Sequence, residues 1–147
     1  MNAYDVVRGL SNDKDEINEP PHAARLFACY LVRKHWWNGL ANEFRAAVIA
    51  GEKYAAGESN DDNLHVAFQC ACRAMPANAN SDSPEYGASR CAMGGASRRA
   101  MGSDGEVAWF VVPHEHHMEV SFEEIDRFFG EGAALRLAED KLLECIA

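Results

Sequence analysis

The apolar residues at the start of the chain recur at helical spacing. An i, i+3, i+4, i+7 pattern predicts a short helix over residues 3–10. A second helix is predicted over residues 22–37. Its middle, residues 26–32, is apolar on all sides, which is typical of a helix at the centre of a bundle. Asn38 and Gly39 are predicted to end this helix.

Two further helices are bounded by recognisable start and stop residues. The helix predicted over residues 41–57 has small residues at Ala47 and Gly51, which would allow a neighbouring helix to approach closely. Ser59 is predicted to cap the next helix, which keeps the helical spacing until Pro76 limits it.

A fifth helix is predicted over residues 85–102, with Ser83 as its N-cap and Pro84 as its first helical residue. Each of its three interior glycines costs up to about 1 kcal/mol relative to alanine. We therefore expect this helix to depend on packing, or to be broken or mobile.

The next apolar run has the residue types of a β-strand. Residues 106–112 are rich in valine and aromatic residues, and Pro113 ends the run. Residues 117–122 are predicted to return as its antiparallel partner, with 113–116 as the turn, which gives one small hairpin near 107–122. A hairpin of two strands needs a helical layer to be stable. A buried helical segment is the competing interpretation.

Two helices are predicted at the C-terminal end. Ser121 and Glu124 have the spacing of a capping box at the start of the first of them. The predicted inner stripe of that helix consists of Phe122, Ile125, Phe128 and Phe129. After a turn at 130–132, the residues predicted to bury the last helix are Ala134, Leu135, Ala138, Leu142, Cys145 and Ile146.

These elements predict a mainly α fold, a compact helical bundle of about six helices with the small hairpin as an additional element. A chain of 147 residues, 48% of them hydrophobic, suits one domain with one core. The predicted domain spans residues 1–147, with loops at 11–21 and 76–83.

Negative charge is concentrated in the last third of the chain. Residues 1–103 contain 12 acids and 11 bases and carry −1, whereas residues 104–147 contain 11 acids and three bases and carry −8. This acidic C-terminal segment argues against direct nucleic-acid binding, which needs lysine and arginine. It favours a basic protein partner, because complementary charges steer encounter. A solvated face that keeps the protein soluble is the alternative.

The sequence also predicts a cytoplasmic location. No run approaches the roughly 18 consecutive apolar residues of a membrane span. The N-terminal residues lack the basic and then apolar regions of a signal peptide. The five cysteines are therefore expected to be reduced, and Cys29, Cys70 and Cys145 are expected to pack as small apolar residues.

Candidate chemistry is confined to one cluster, His114, Glu115, His116 and His117. The three interpretations are a zinc site, a pH-sensitive turn beside an acidic surface, and a polar surface turn, of which the last is favoured. The sequence contains no His-Glu-x-x-His, nucleophile-elbow or Walker motif. No catalytic residue and no cofactor is therefore predicted.

Trp36 and Trp37 are the candidate apolar anchor for a partner. Adjacent residues of a helix point about 100° apart. One indole is therefore expected in the core and the other at an edge, where exposed tryptophan is typical of binding hot spots. The alternative is that both pack under the third helix.

Residues 25–64 contain "RLFACYLVRKHWW" and, after a short gap, "RAAVIAGEKYAAGESNDDNL". The pattern is carried by Arg25, Leu26, Phe27, Ala28, Cys29, Arg33, Trp36, Ala47, Glu52, Tyr54, Ala55 and Gly57. It resembles a motif of helical proteins from phages and planctomycete-type bacteria, with Gly51 where that family usually has alanine. The resemblance implies a helix-turn-helix packing unit and a phage or mobile-element setting. The family has no established activity, so no functional residue follows from it.

The charge distribution and the resemblance together favour a small acidic protein-binding inhibitor, encoded by a phage and acting against host defence in the manner of anti-CRISPR proteins. It would occlude a basic surface that normally holds nucleic acid, with no contact to nucleic acid or membrane itself. The predicted partner-binding residues are Glu123, Glu124, Asp126, Glu131, Glu139, Asp140, Glu144, Trp36 and Trp37. The alternatives are an immunity protein that neutralises a toxin and a small enzyme that holds zinc through the His114–His117 cluster.

Overall fold

A computed structural model describes residues 1–10, 22–80, 83–94 and 118–146. In this part of the chain the protein is mainly helical, with seven α-helices and no strand, which confirms the predicted fold class. The helices are α1 Ala3–Leu10, α2 His22–Trp36, α3 Asn42–Ala55, α4 Asp61–Arg73, α5 Pro84–Cys91, α6 Phe122–Phe129 and α7 Ala133–Ile146. A 3-10 turn, Trp37–Gly39, follows α2.

Helix α2 is central, as its all-round apolar middle predicts. It packs against α3, α5 and α6, and α3 in turn packs against α4 and α5. Phe27, Leu31 and Val32 are fully buried. The ring of Phe27 lies 5.6 Å from that of Phe128 and 5.3 Å from that of Phe129, so α6 is joined to the centre of the bundle by aromatic contacts.

The close approach predicted at Ala47 and Gly51 is present, and the neighbour is α5. A Cβ atom added at Gly51 would lie 2.3 Å from the carbonyl oxygen of Cys91. Glycine is therefore required here by the space between two helices and not by an unusual backbone conformation.

Local capping explains where several helices begin. Ser121 accepts from the backbone N–H of Glu124, whose carboxylate accepts from the N–H of Ser121, so the predicted capping box is confirmed. Ser83 and Pro84 occupy the predicted first positions of α5. The N-cap prediction for α4 is wrong by one residue, because Asn60 caps the helix, with its Oδ1 atom 2.9 Å from the N–H of Asn63.

The helix predicted over 85–102 ends at Cys91. Met93 and Gly94 remain buried without helical structure. A Cβ atom at Gly94 would lie 2.9 Å from the Cδ2 atom of Leu64 on α4, so a side chain there would require the Leu64 side chain to shift. Residues 95–102 lie outside the described residues.

The extended segment 118–120 pairs with the N-terminus. The N–H of Ala3 donates to the carbonyl of Met118 at 2.9 Å, and the N–H of Val120 donates to that of Met1 at 2.8 Å. The predicted first strand, 106–112, and the turn, 113–116, lie outside the described residues. The hairpin therefore stays a prediction.

The predicted inner stripes of the last two helices are only partly correct. On α6, Ile125 is fully buried, whereas Phe122 is 50% exposed. On α7, Ala134 is buried as predicted, Ala138 is half-buried, but Leu135, Leu142 and Cys145 are exposed. Among the described residues, no helix combines the length and apolar character that a membrane crossing requires.

Candidate protein-binding surface

The orientation of α7 is fixed by one contact near its start and one in its second half. Near its start, the backbone N–H of Ala134 donates to the carboxylate of Asp126 at 3.0 Å, which ties α7 to α6. Further along, the ammonium of Lys141 donates to the carboxylate of Asp5 on α1 at 3.0 Å. Residues 134 and 141 are seven apart and therefore lie on nearly the same side of the helix. These contacts turn that side towards the rest of the protein.

The packing between α1 and α7 turns the same side of α7 towards the rest of the protein. A Cβ atom at Gly9 would lie 2.4 Å from the Cδ1 atom of Leu137, so the two helices approach closely at this point. Leu137 is 4% exposed, and the neighbouring Ala133 and Ala134 are 1% exposed. Small side chains and one leucine therefore make up the buried side of α7.

The outward side of α7 carries large apolar residues that are not buried in the core. Leu135 is 58% exposed, Leu142 is 62% exposed and Leu143 is 64% exposed. Residues 135 and 142 are seven apart, so they lie along one line, with Leu143 beside the second of them. We call the whole exposed surface of α7 the α7 face; it runs from these three leucines past Glu139 to Asp140 and Glu144, which flank the side of the helix that meets α1.

The carboxylates of the α7 face are not neutralised by neighbours. Glu139, Asp140 and Glu144 are exposed, and none of them makes a hydrogen bond or ion pair with another described residue. Asp140 and Glu144 also line a cleft of about 430 Å³ between α1 and α7. Because Lys141 in this cleft is already paired with Asp5, the cleft edge remains negative.

Two of the seven predicted partner-binding acids are engaged inside the protein. The carboxylate of Glu124 accepts hydrogen bonds from the Tyr30 hydroxyl at 2.5 Å, the Lys34 ammonium at 2.8 Å and the Ser121 N–H at 3.0 Å. Asp126 caps α7 through Ala134. The structure therefore gives both residues structural roles, whereas Glu123, Glu131, Glu139, Asp140 and Glu144 are exposed.

The hydrogen bonds around Glu124 lower the pKa of its carboxyl group. Burial by itself would raise the pKa of Glu124, but the hydrogen bonds from Lys34, Tyr30 and Ser121 outweigh it and lower the pKa from 4.5 to about 2. The same contact raises the pKa of Tyr30, because the hydroxyl donates a hydrogen bond to the Glu124 carboxylate. Burial and the negative charge of Glu124 also oppose ionisation of the hydroxyl. Glu124 is therefore ionised whenever the fold is intact near neutral pH.

The two tryptophans lie at a different place from the α7 face. Both are half-buried. The guanidinium of Arg33 lies 4.0 Å from the ring centre of Trp37 and that of Arg45 lies 5.2 Å from it. Both tryptophans line a pocket of about 260 Å³ that includes Lys34 and no residue of α7. The structure therefore does not bring the predicted aromatic anchor together with the acids of α7.

The predicted histidine cluster, 114–117, lies outside the described residues. Within the described part of the chain, no group of three or more histidine, cysteine or acidic side chains is placed to hold a metal ion. Cys70 and Cys72 are both exposed on α4. The zinc interpretation therefore receives no support from the described residues.

The sequence prediction missed the leucines of the α7 face. A signal for them exists, because the apolar positions of α7 include 135, 137, 142 and 143 and no single side of a helix accommodates all four. At least some of these side chains must face outward in any packing of α7.

Comparisons with known proteins do not place this chain in a family. No family model, no curated protein and no solved structure matches the chain. The resemblance of residues 25–64 to phage and planctomycete-type proteins therefore stays a prediction.

Proposed function

We propose that this protein is a protein-binding module whose α7 face docks into an apolar groove bordered by lysine and arginine on a partner. The observation that carries the proposal is that three leucines, each more than half exposed, share the exposed surface of α7 with three carboxylates that have no partner among the described residues. Glu139 lies among the leucines, and Asp140 and Glu144 lie towards α1. A helix with such a face is the usual ligand of a hydrophobic groove.

The leucines and the carboxylates of the α7 face would contribute to binding in different ways. Covering the exposed part of each leucine contributes on the order of 1 kcal/mol, before the entropy of association is subtracted. The carboxylates contribute mainly to the rate of encounter and to the choice of a basic partner. Nucleic acid does not suit this face, because its phosphates would meet unpaired carboxylates.

The specific form of the proposal is inhibition by occlusion. A basic surface that normally holds nucleic acid, such as that of a nuclease complex, has the charge that the α7 face requires. Glu123 and Glu131, exposed on α6 and on the α6–α7 turn, would extend the negative surface. The phage-encoded, anti-defence setting follows only from the resemblance of residues 25–64 and is part of the proposal. An immunity protein for a basic toxin would use the same face.

The test is a binding assay of purified nuclease complexes, and of basic toxins, against the immobilised protein at low and high salt. We expect binding that weakens as salt rises. The charge-reversed triple variant E139K/D140K/E144K should lose it. The matched control E43K/E58K/D62K makes the same change of charge at exposed positions away from α7 and should retain binding.

Nuclease complexes that bind would support the inhibitor, and toxins that bind would support the immunity protein. Binding that is independent of salt and survives reversal at Glu139, Asp140 and Glu144 would contradict both, because it would place the interface elsewhere.

A further inference from the structure

The outward side of α7 combines apolar residues with one charge of each sign. Leu135, Glu139 and Leu142 follow one another at intervals of four and three residues, so they share one side of the helix. Arg136 lies beside them and is exposed. Its guanidinium makes no hydrogen bond or ion pair with a described residue. Leucines, a cation and an anion are thus available on the same surface of the helix.

The spacing of these residues is complementary to itself. When two identical helices pack antiparallel about a two-fold axis, two residues lie level if the axis passes midway between their positions in the sequence. The midpoint of residues 135 and 142 and the midpoint of residues 136 and 139 are one residue apart, which is about 1.5 Å along the helix. One antiparallel register therefore places Leu135 beside Leu142 of a second copy. The same register places Arg136 beside Glu139 of that copy.

We propose that the protein forms a weak two-fold dimer in which α7 packs antiparallel against α7 of a second copy. Leu135, Leu142 and Leu143 of each copy supply the apolar contact. The two pairs of Arg136 with Glu139 of the other copy fix the register. Both copies use the same patch, as a closed two-fold interface requires. The dimer does not depend on the proposed function, although it would cover the α7 face and so compete with a partner for it.

The size of the contact limits the strength of the dimer. Helix α7 has 14 residues and is therefore about 20 Å long. A contact along one such helix is smaller than a stable protein–protein interface, which buries about 800 Å² on each partner. The net charge of −9 on each chain also opposes association. We therefore expect a dissociation constant on the order of 0.1–1 mM, and a monomer in dilute solution.

Salt should strengthen this dimer. Both copies are acidic, so the long-range force between them is repulsive, and added salt screens it. The burial of the leucines does not rely on charge and is not weakened by this screening. Binding of the α7 face to a basic partner should instead weaken as salt rises. The two uses of the face therefore respond to salt in opposite directions, which distinguishes them in experiments.

Sedimentation of the purified chain at increasing concentration, in low and in high sodium chloride, tests the proposal. We expect a monomer–dimer equilibrium that shifts towards the dimer at high salt. R136E and E139R should each weaken the dimer by about tenfold or more, because either change puts like charges together at both pairs. The double variant R136E/E139R restores opposite charges at both pairs and should return the dissociation constant to within about threefold of the original.

The variant E139R separates a specific pair from general repulsion. It makes the chain less acidic, so reduced repulsion alone would strengthen the dimer, whereas loss of the pair weakens it. The matched control E58R makes the same change of charge at an exposed position after α3 and should not weaken the dimer. A chain that stays monomeric at millimolar concentration in high salt, or a dimer that E139R strengthens as E58R does, would overturn the proposal. Partner binding is measured separately, so either proposal can fail without the other.

Discussion

Leu137 and Leu142 lie five residues apart on α7 and occupy opposite environments, since Leu137 is 4% exposed and Leu142 is 62% exposed. Leu137 fills the contact between α7 and α1, and Leu142 contributes to the α7 face. Two leucines of one helix thus have different roles, one in packing and one at the surface, and substitutions can distinguish the two roles.

Truncation of each of these two leucines to alanine should distinguish the packing residue from the surface residue by the loss in free energy of unfolding. L137A is expected to lower the free energy of unfolding by about 2–4 kcal/mol, because it leaves a cavity between α1 and α7. L142A should change it by less than about 0.5 kcal/mol, because its side chain is mostly exposed. Urea unfolding of both variants gives the comparison. A large loss for L142A would show that its side chain is covered in solution and would remove the apolar part of the proposed interface.

The Glu124 network predicts a particular dependence of stability on pH. The pKa of Glu124 is depressed in the folded state, from 4.5 to about 2, so its ionised form stabilises the fold. That contribution is fully present above about pH 5 and is lost as pH falls through about 2. Because the Lys34 side chain is 42% exposed, we expect the contribution to be on the order of 1–2 kcal/mol.

The variant E124Q tests this dependence. It should be less stable than the unaltered protein at pH 7, and the difference between the two should shrink between pH 4.5 and pH 2. The exposed neighbour Glu123 supplies the control, since E123Q should show no such convergence. A stability difference for E124Q that stays constant across this range would mean that the charge of Glu124 is not what stabilises the contact.

Gly51 should tolerate no side chain. G51A places a Cβ atom 2.3 Å from the carbonyl oxygen of Cys91, which is backbone and has to move with α5. We expect a loss of roughly 2 kcal/mol or more. The control is G39A, because a Cβ atom at Gly39 meets nothing within 4 Å, and it should be nearly neutral. Denaturant unfolding measures both, and equal stabilities would contradict the close packing of α3 and α5.

The start of α4 offers a test between two adjacent residues. N60A removes the side-chain oxygen that accepts from the N–H of Asn63 and should cost about 1 kcal/mol. S59A should have little effect, since Ser59 is not the capping residue of the helix. Thermal or chemical unfolding of the pair decides between them, and the reverse order would restore Ser59 as the cap.

Local signals explain which parts of the fold could be predicted. The capping box of Ser121 and Glu124, the Ser83-Pro84 start of α5 and the central position of α2 depend on residues near one another in the chain, and all three are confirmed. Asn60 and Ser59 are both good caps, and spacing alone did not separate them.

Long-range contacts explain what could not be predicted. The rotation of α7 depends on Asp126 and on Asp5, neither of which belongs to that helix, so its sequence pattern predicted an inward side that is only partly correct. Glu124 was predicted both as a cap and as a partner-binding acid, but only the structure reveals that Tyr30 and Lys34 also hold it. Net charge locates the acidic segment without telling which carboxylates are already engaged.

The contact between Lys141 and Asp5 joins residues 136 positions apart, and it has a consequence for the order of folding. Helices α2 to α5 meet neighbours that are close in the chain, whereas bringing α1 against α7 requires the closure of nearly the whole polypeptide, which is entropically expensive. We therefore expect α1 to dock after the main barrier has been crossed. Changes at this contact should accelerate unfolding and leave the rate of folding almost unaltered.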